Sequence, residues 1–315
     1  MKKPVHVIYD ILIVLVILIL VDCGVGRIGS CLISQLEESS FYGEINNSLN
    51  SITPDVLIIG ASTAKSDVVP QLIMDSLGIS AYNAGSDGKN ILYHSCVGNA
   101  VINRKPPEVI ICVLFPFEFQ HNLNDRLSVL NPFYDRDSLI HATVNLKSPA
   151  EWIKMKSNLY RYNSKILTII SNKFQKKDSS KSFGYRALPI VTPYPELKRI
   201  ESGADYFVDS VSVKRFVDFV RLCKEKKIHL ITVISPYYGI YDEGESSIPI
   251  ISKICSQEDI VFLDYSQDKY FLDHPEMFKD QSHLNHHGAE RYTGILINNL
   301  RDVLYPVENS ENNNL

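Results

Sequence analysis

The run Val56-Leu57-Ile58-Ile59, preceded by Pro54 and closed by Gly60, constrains this chain more than any other feature. Four consecutive apolar residues, three of them β-branched, bounded by turn-formers, read as a short buried strand. Ser62 follows two residues after Gly60, so it stands at the carboxyl edge of a sheet. Open α/β sheets place their chemistry at that edge, because the next helix turns its positive end and free N–H groups toward it. A serine there acts as a nucleophile if a base reaches it, and as a helix N-cap if none does. On Gly-x-Ser alone both readings stand.

The pattern after Ser62 repeats the strand-and-helix alternation. Val68 to Leu77 has a helical rhythm ended by Gly78, Ile79 to Tyr82 reads as a second strand, Ile91 to Ile102 as a helix and Val109 to Phe115 as a third strand. Strand, helix, strand, helix, strand predicts parallel βαβ units. The rhythm resumes with a helix over Val211 to Cys223, a strand over Ile228 to Ile234, a helix over Ile248 to Ser256, a strand over Ile260 to Asp264 and a closing helix over His286 to Leu304. Between the halves, about 120–209 is less regular and reads as a helical insertion, with helices over Pro149 to Met155 and Lys165 to Lys173, a basic segment Lys173 to Lys181 and a Pro/Tyr-rich stretch Pro189 to Pro195. It either caps the site or packs on the sheet's far edge. Tyr160, Tyr162, Tyr185, Tyr194 and the lone Trp152 either stack on sugar rings or fill core.

The N-terminus sets the compartment. Lys2 and Lys3 precede a run from Val5 to Val21 interrupted only by His6, Tyr9 and Asp10, long enough as a helix to span about 26 Å. Lysines before the run predict an N-terminus held inside and a main domain on the extracytoplasmic side, in the periplasm or at the cell surface. Residues 1–26 are therefore expected to be a signal anchor or transmembrane helix. Cleavage at Gly24-Val-Gly26 and lipidation at Cys23 are the competing fates, with Asp22 before Cys23 counting against lipidation. Residues 27–53 read as an amphipathic stalk, with Ile28, Leu32, Ile33 and Leu36 on one face, followed by a polar linker from Asn46 to Thr53. The main domain is expected over 54–305, with a disordered tail over 306–315.

With 45% hydrophobic and 22% charged residues in 315, the chain has material for one large core. A net charge of -4 gives no basic footprint, which argues against nucleic acid as a partner. Six cysteines without a C-x-x-C pair form neither a zinc pattern nor a disulfide framework.

Asp280-Gln-Ser-His283-Leu-Asn-His-His-Gly288 lies after the last strand, so its loop is expected at the same sheet edge as Ser62. A histidine there can take the serine proton and return it to a leaving group, and a carboxylate three residues earlier can hold its tautomer. The rival use of Asp280, His283, His286 and His287 is metal ligation, His283 and His287 being an i, i+4 pair. It lacks the glutamate a zinc protease needs, so no metal and no cofactor is expected. The loop Asn83-Ala-Gly85-Ser-Asp-Gly88 after the second strand brings two glycines and free N–H groups toward a ligand.

Gly60-Ala-Ser62, Asn83-Ala-Gly85 and Asp280-x-x-His283-Leu-Asn together resemble the SGNH/GDSL hydrolases, in particular their membrane-anchored bacterial envelope branch. The resemblance spans most of 54–304, with the Asp-x-x-His-Leu-Asn element its most specific part. It implies a three-layer α/β/α, flavodoxin-like domain with a mostly parallel five-stranded sheet. It further implies Ser62 as nucleophile, Asp280 and His283 as its partners, and the Ser62 and Gly85 amides as oxyanion donors. The family's third block supplies an asparagine where this chain has Phe115-Pro-Phe-Glu118; Asn83 or Asn90 could substitute, and Glu118 could touch substrate. The activity implied is an exported serine esterase or O-acyltransferase acting on acyl groups of cell-envelope or other carbohydrates, or on a small ester. A non-catalytic protein of the same fold, binding glycan or scaffolding an envelope assembly, is the alternative.

Overall fold

The structure, a computed structural model, describes residues 4–120, 124–174, 182–199 and 207–305. In chain order, α1 (Pro4–Ser34) and α2 (Phe41–Asn50) precede β1 (Val56–Gly60), α3 (Ser62–Asp67), α4 (Pro70–Leu77), β2 (Ala81–Asn83), α5 (Ile91–Arg104) and β3 (Val109–Leu114). A 3-10 stretch (Asn124–Phe133) leads into the short helices α6 (Ser138–Asn145), α7 (Glu151–Lys154), α8 (Asn158–Tyr162) and α9 (Ile166–Lys173). Then come β4 (Lys198–Arg199), α10 (Ser210–Glu225), β5 (His229–Ile234), β6 (Gly239–Ile240), α11 (Ile248–Gln257), β7 (Val261–Asp264), α12 (Lys269–Leu272) and α13 (His286–Leu304). The expected basic segment Lys173 to Lys181, beyond its first two residues, and the tail 306–315 lie outside the described residues.

The chain forms two compact units. One, built from residues 48–120, 182–199 and 207–305, is the α/β domain. Its five strands lie in the order β2-β1-β3-β5-β7 and every neighbouring pair is parallel. Strand alternation decides which layer each residue serves. Val56 and Ile58 of β1 join a core with Ile73 of α4 and Tyr292, Leu296 and Ile297 of α13. Ile59 turns to the other face, where Gly98 of α5 lets Phe219 of α10 approach closely. All four apolar residues of β1 are fully buried, each contributing about 1.5–3 kcal/mol of burial. The result is a three-layer α/β/α sandwich. Its chain reverses direction across the sheet after β2, which opens a crevice at the carboxyl ends of β1 and β3.

The helix expected over Val68 to Leu77 starts two residues later, because Pro70 holds Val69 extended, φ −97° and ψ 102°, and the short helix α3 before it, Ser62–Asp67, is not among the expected elements.

The other unit joins residues 4–47 and 124–174. α1 is long and apolar enough to cross a membrane, with a mean hydropathy of 2.7 in its most apolar window, and its apolar side chains from Val7 to Val21 are exposed. It runs without a break through the expected boundary at residue 26. The stretch Asn46 to Thr53 is not a linker throughout. α2 extends to Asn50, and Tyr42, Ile45 and Leu49, spaced as one helical face, are buried; polar neighbours conceal that spacing in the sequence.

Candidate active site

Gly60 ends β1, and α3 begins two residues later with Ser62 half-buried in its first turn. Ala61 supplies no side-chain cap to that turn, and Ser62 does not act as the N-cap. Its hydroxyl is instead engaged from across the sheet edge: Ser62 Oγ lies 2.7 Å from His283 Nε2. His283 Nδ1 lies 2.8 Å from Asp280 Oδ1. That same carboxylate oxygen accepts the backbone N–H groups of Ser282 (2.9 Å) and His283 (3.1 Å), which closes the 280–283 loop into a compact turn. Serine, imidazole and carboxylate thus form one continuous chain of hydrogen bonds.

The electrostatics follow from this chain. Burial works against charge on both partners, yet the mutual hydrogen bond outweighs it. Asp280 is held below the usual carboxylate range by His283 and the two amides. His283 is raised above the ordinary imidazole value by Asp280 and by the nearby Asp67. Both His283 nitrogens are occupied by this pairing. His286 is engaged elsewhere, its Nδ1 2.9 Å from the Tyr185 hydroxyl and its Nε2 3.6 Å from Glu290.

Of the loop residues expected to serve the oxyanion, Asn83 and Gly85 have other employment. Asn83 Nδ2 donates to the carbonyls of Ala64 (2.6 Å) and Val68 (2.9 Å), fastening α3 to the end of β2. Asn83 Oδ1 accepts the Gly85 N–H at 2.9 Å, so that amide is directed into the loop. Asn90 caps α5 by accepting the Leu92 N–H at 3.2 Å; its Nδ2, buried, has no hydrogen-bond partner among the described residues. Glu118 is buried and accepts the N–H groups of Ile91 (2.7 Å) and Phe115 (3.3 Å). It therefore ties the start of α5 to the end of β3 and is not presented to a ligand. Burial pushes its carboxyl up to about 7 despite those two bonds.

Three residues beyond the expected set bear on the site. Asp67, at the end of α3 and fully buried, accepts the Leu284 N–H at 3.1 Å, which anchors the loop carrying His283 to the helix carrying Ser62. Burial pushes its carboxyl well above the usual range, against the pull of His283. Arg186 donates its backbone N–H to Lys65 O (2.9 Å) and its guanidinium to both Asp87 oxygens (2.5 and 2.9 Å), strapping the 182–199 segment along α3. Tyr237, its phenol raised by burial, lies against Ser282 and Asp280. No sequence pattern marks any of the three; Asp67 follows the polar pair Lys65-Ser66 and reads as an ordinary surface carboxylate.

An open cleft of about 770 Å³ runs past the exposed side of Asp280 and His283. Its opposite wall is the Pro/Tyr-rich segment, including Pro193, Tyr194 and Lys198. β4 pairs with β6 just beyond β5 and fixes that segment at the sheet's carboxyl side. Of the aromatic residues singled out in the sequence, Tyr194 thus borders the cleft and Tyr185 supports His286. Tyr160 and Tyr162 belong to the other unit, where Tyr160 binds Glu151 at 2.9 Å and Tyr162 is buried.

No protein-family model matches the chain, and no curated protein does. Among solved structures, the chain is similar to a psychrotrophic esterase, EstA, from a Pseudoalteromonas species (11% identity, covering 79% of this chain and 97% of that one, TM-score 0.41). It is also similar to a two-domain esterase active on acetylated mannans (10% identity, 89% of this chain and 57% of that one, TM-score 0.43) and to an acetyl xylan esterase (12% identity, 79% and 99%, TM-score 0.40). Likeness at this level carries no argument about chemistry, which rests on the geometry of Ser62, His283 and Asp280.

Proposed function

We propose that the chain is a membrane-anchored serine esterase or O-acyltransferase that works through an acyl-Ser62 intermediate. The single observation that supports this most is the unbroken hydrogen-bond chain from Ser62 through His283 to Asp280. Neutral His283 accepts the Ser62 proton at Nε2 as Oγ attacks an ester carbonyl. Asp280 keeps the other proton on Nδ1 and stabilises the imidazolium. The tetrahedral oxyanion forms beside the first turn of α3, where the Ser62 amide is the candidate donor. His283 returns the proton to the departing alcohol, leaving the acyl-enzyme. Water or a sugar hydroxyl, deprotonated by His283, then attacks that ester and releases Ser62. The cleft walled by Tyr194 and Pro193 suits a carbohydrate ring beside the acyl group, so an acetylated or otherwise acylated glycan of the cell envelope is the proposed substrate. No cofactor enters the scheme.

The anchor is proposed to stay on the chain, with the α/β domain on the extracytoplasmic side. α1 continues unbroken past Gly24-Val-Gly26, and cleavage there would remove Asp22, which makes four hydrogen bonds to residues 157–159.

A second reading, a glycan-binding or scaffolding protein without turnover, is favoured by one observation. The Gly85 amide is spent on Asn83, and no asparagine occupies the Phe115 to Glu118 corner, so the oxyanion donors are few. Labelling of the purified protein with a fluorophosphonate separates the two. Labelling at Ser62 that disappears in both Ser62→Ala and His283→Ala supports the enzyme. Folded wild-type protein that does not label overturns it.

A further inference from the structure

We infer that the segment Trp152–Leu159 rests on the lipid surface, its exposed apolar side chains seated among the headgroups of the membrane that α1 spans. This rests on the proposed reading of α1 as a retained anchor.

The argument starts at Asp22. It is the first charged residue after the uninterrupted apolar run that ends at Val21. A carboxylate within the hydrocarbon is costly, about 2.5–3.5 kcal/mol or more at the centre of a span and less toward its ends. Asp10 stands toward one end of the Val5 to Val21 run and Asp22 directly follows the other, so Asp22 marks the level at which the helix leaves the bilayer. At that level its two oxygens are saturated by a single neighbouring segment. Oδ1 accepts from Ser157 Oγ (2.6 Å) and the Leu159 N–H (2.9 Å), and Oδ2 accepts from the Asn158 N–H and Nδ2, both at 3.0 Å. The pairing continues one and two turns further along α1, where glycines allow close approach. A Cβ at Gly26 would stand 2.6 Å from the Asn158 side chain, and one at Gly29 would stand 2.4 Å from the Tyr162 ring. The segment around 157–159 is thus fixed beside the residue where the membrane ends.

That segment carries what a lipid interface recognises. Trp152, Ile153 and Leu159 are 53%, 55% and 42% exposed, an unusual concentration of apolar surface within eight residues. Exposed Lys154 and Lys156 alternate with them, so a charged group accompanies the apolar ones, as at the headgroup level of a bilayer. α7 is held rigidly against α8. Glu151 is buried and bound by Lys147 Nζ (2.5 Å), Ser148 Oγ (2.9 Å) and the Tyr160 hydroxyl (2.9 Å). Trp152 is therefore carried by a fixed support next to the membrane exit. Tryptophan is the residue type that concentrates at this depth.

The chain contains a single tryptophan, which makes the test direct. The full chain is reconstituted in phosphatidylcholine–phosphatidylglycerol vesicles, and Trp152 emission is measured with nitroxide labels at the headgroup end or the methyl end of the lipid chains. The expected result is a blue-shifted emission quenched at least about twofold more by the shallow label than by the deep one. A Trp152→Phe chain carrying Val16→Trp reports in parallel whether α1 is inserted. Deep quenching at position 16 with Trp152 unquenched and water-exposed would overturn this inference while leaving the anchor intact. No quenching at either position would overturn the anchor, and the inference with it.

Discussion

His283 Nε2 and Ser62 Oγ, 221 residues apart in the chain, meet at 2.7 Å. The encounter depends on Asp67, which lies in the helix that Ser62 opens and binds the backbone of Leu284 next to His283. The dyad is therefore fastened from behind as well as through its own hydrogen bond.

The first prediction concerns pH. His283 must be neutral to accept the serine proton, and its folded pKa is raised, with Asp280 the chief cause acting against burial. Ester hydrolysis should rise with pH through a midpoint above about 6.5. Asp280→Asn should lower that midpoint and reduce kcat by on the order of 10³–10⁴. A pH–rate profile of both proteins checks this. The stability contribution runs in the opposite sense: it is complete below about 6.5 and lost as pH rises through the raised His283 value.

Gly85→Ala should impair the site through geometry. The added Cβ would stand 2.6 Å from Lys65 N and 2.9 Å from Lys65 Cα, and a helix backbone cannot yield as a side-chain tip can. α3 and Ser62 should shift, with a fall in kcat/KM of roughly a hundredfold for a displacement near 1 Å. The rate of fluorophosphonate labelling should fall in parallel, and an unchanged rate would show that the loop has room to move.

Glu118→Gln tests whether that residue is structural. One of the two amides it accepts, from Ile91 and Phe115, would face an NH₂ group instead of an oxygen. Unfolding in urea should reveal a loss of about 1–3 kcal/mol. KM should stay near the wild-type value; a large rise in KM with unchanged stability would return Glu118 to the substrate.

His94 should govern acid sensitivity. It is fully buried in α5, and burial lowers its pKa to about 3. The lowered value means the fold holds the neutral ring, so its contribution is complete above about 6.5 and is lost as pH falls toward 3, by roughly 1.4 kcal/mol per unit. Denaturation curves at descending pH should be less steep in pH for His94→Leu than for the wild type.

The sequence by itself determined the sheet and the residues at its edge. Val56 to Ile59, Val109 to Leu114 and the runs ending at Ile234 and Asp264 are short apolar stretches rich in β-branched residues, which read as buried strands, and the helices between them impose parallel pairing. That topology brings Ser62 and the Asp280–His283 loop to one edge, so the dyad was legible from order alone. The sequence also misled in places, for instance over Asn46 to Asn50, where asparagines hide the buried spacing of Tyr42, Ile45 and Leu49. What only the tertiary structure decided is the use of each polar group. Asn83, Gly85 and Glu118 have the residue types of an oxyanion or substrate contact, yet the carbonyls and amides nearest to them claim their hydrogen bonds. Asp22 and Asp67 likewise acquire partners 135 and 217 residues away. A residue type states what a side chain can bond to, whereas the partner is chosen by distance, and distance between remote residues exists only once the chain has folded.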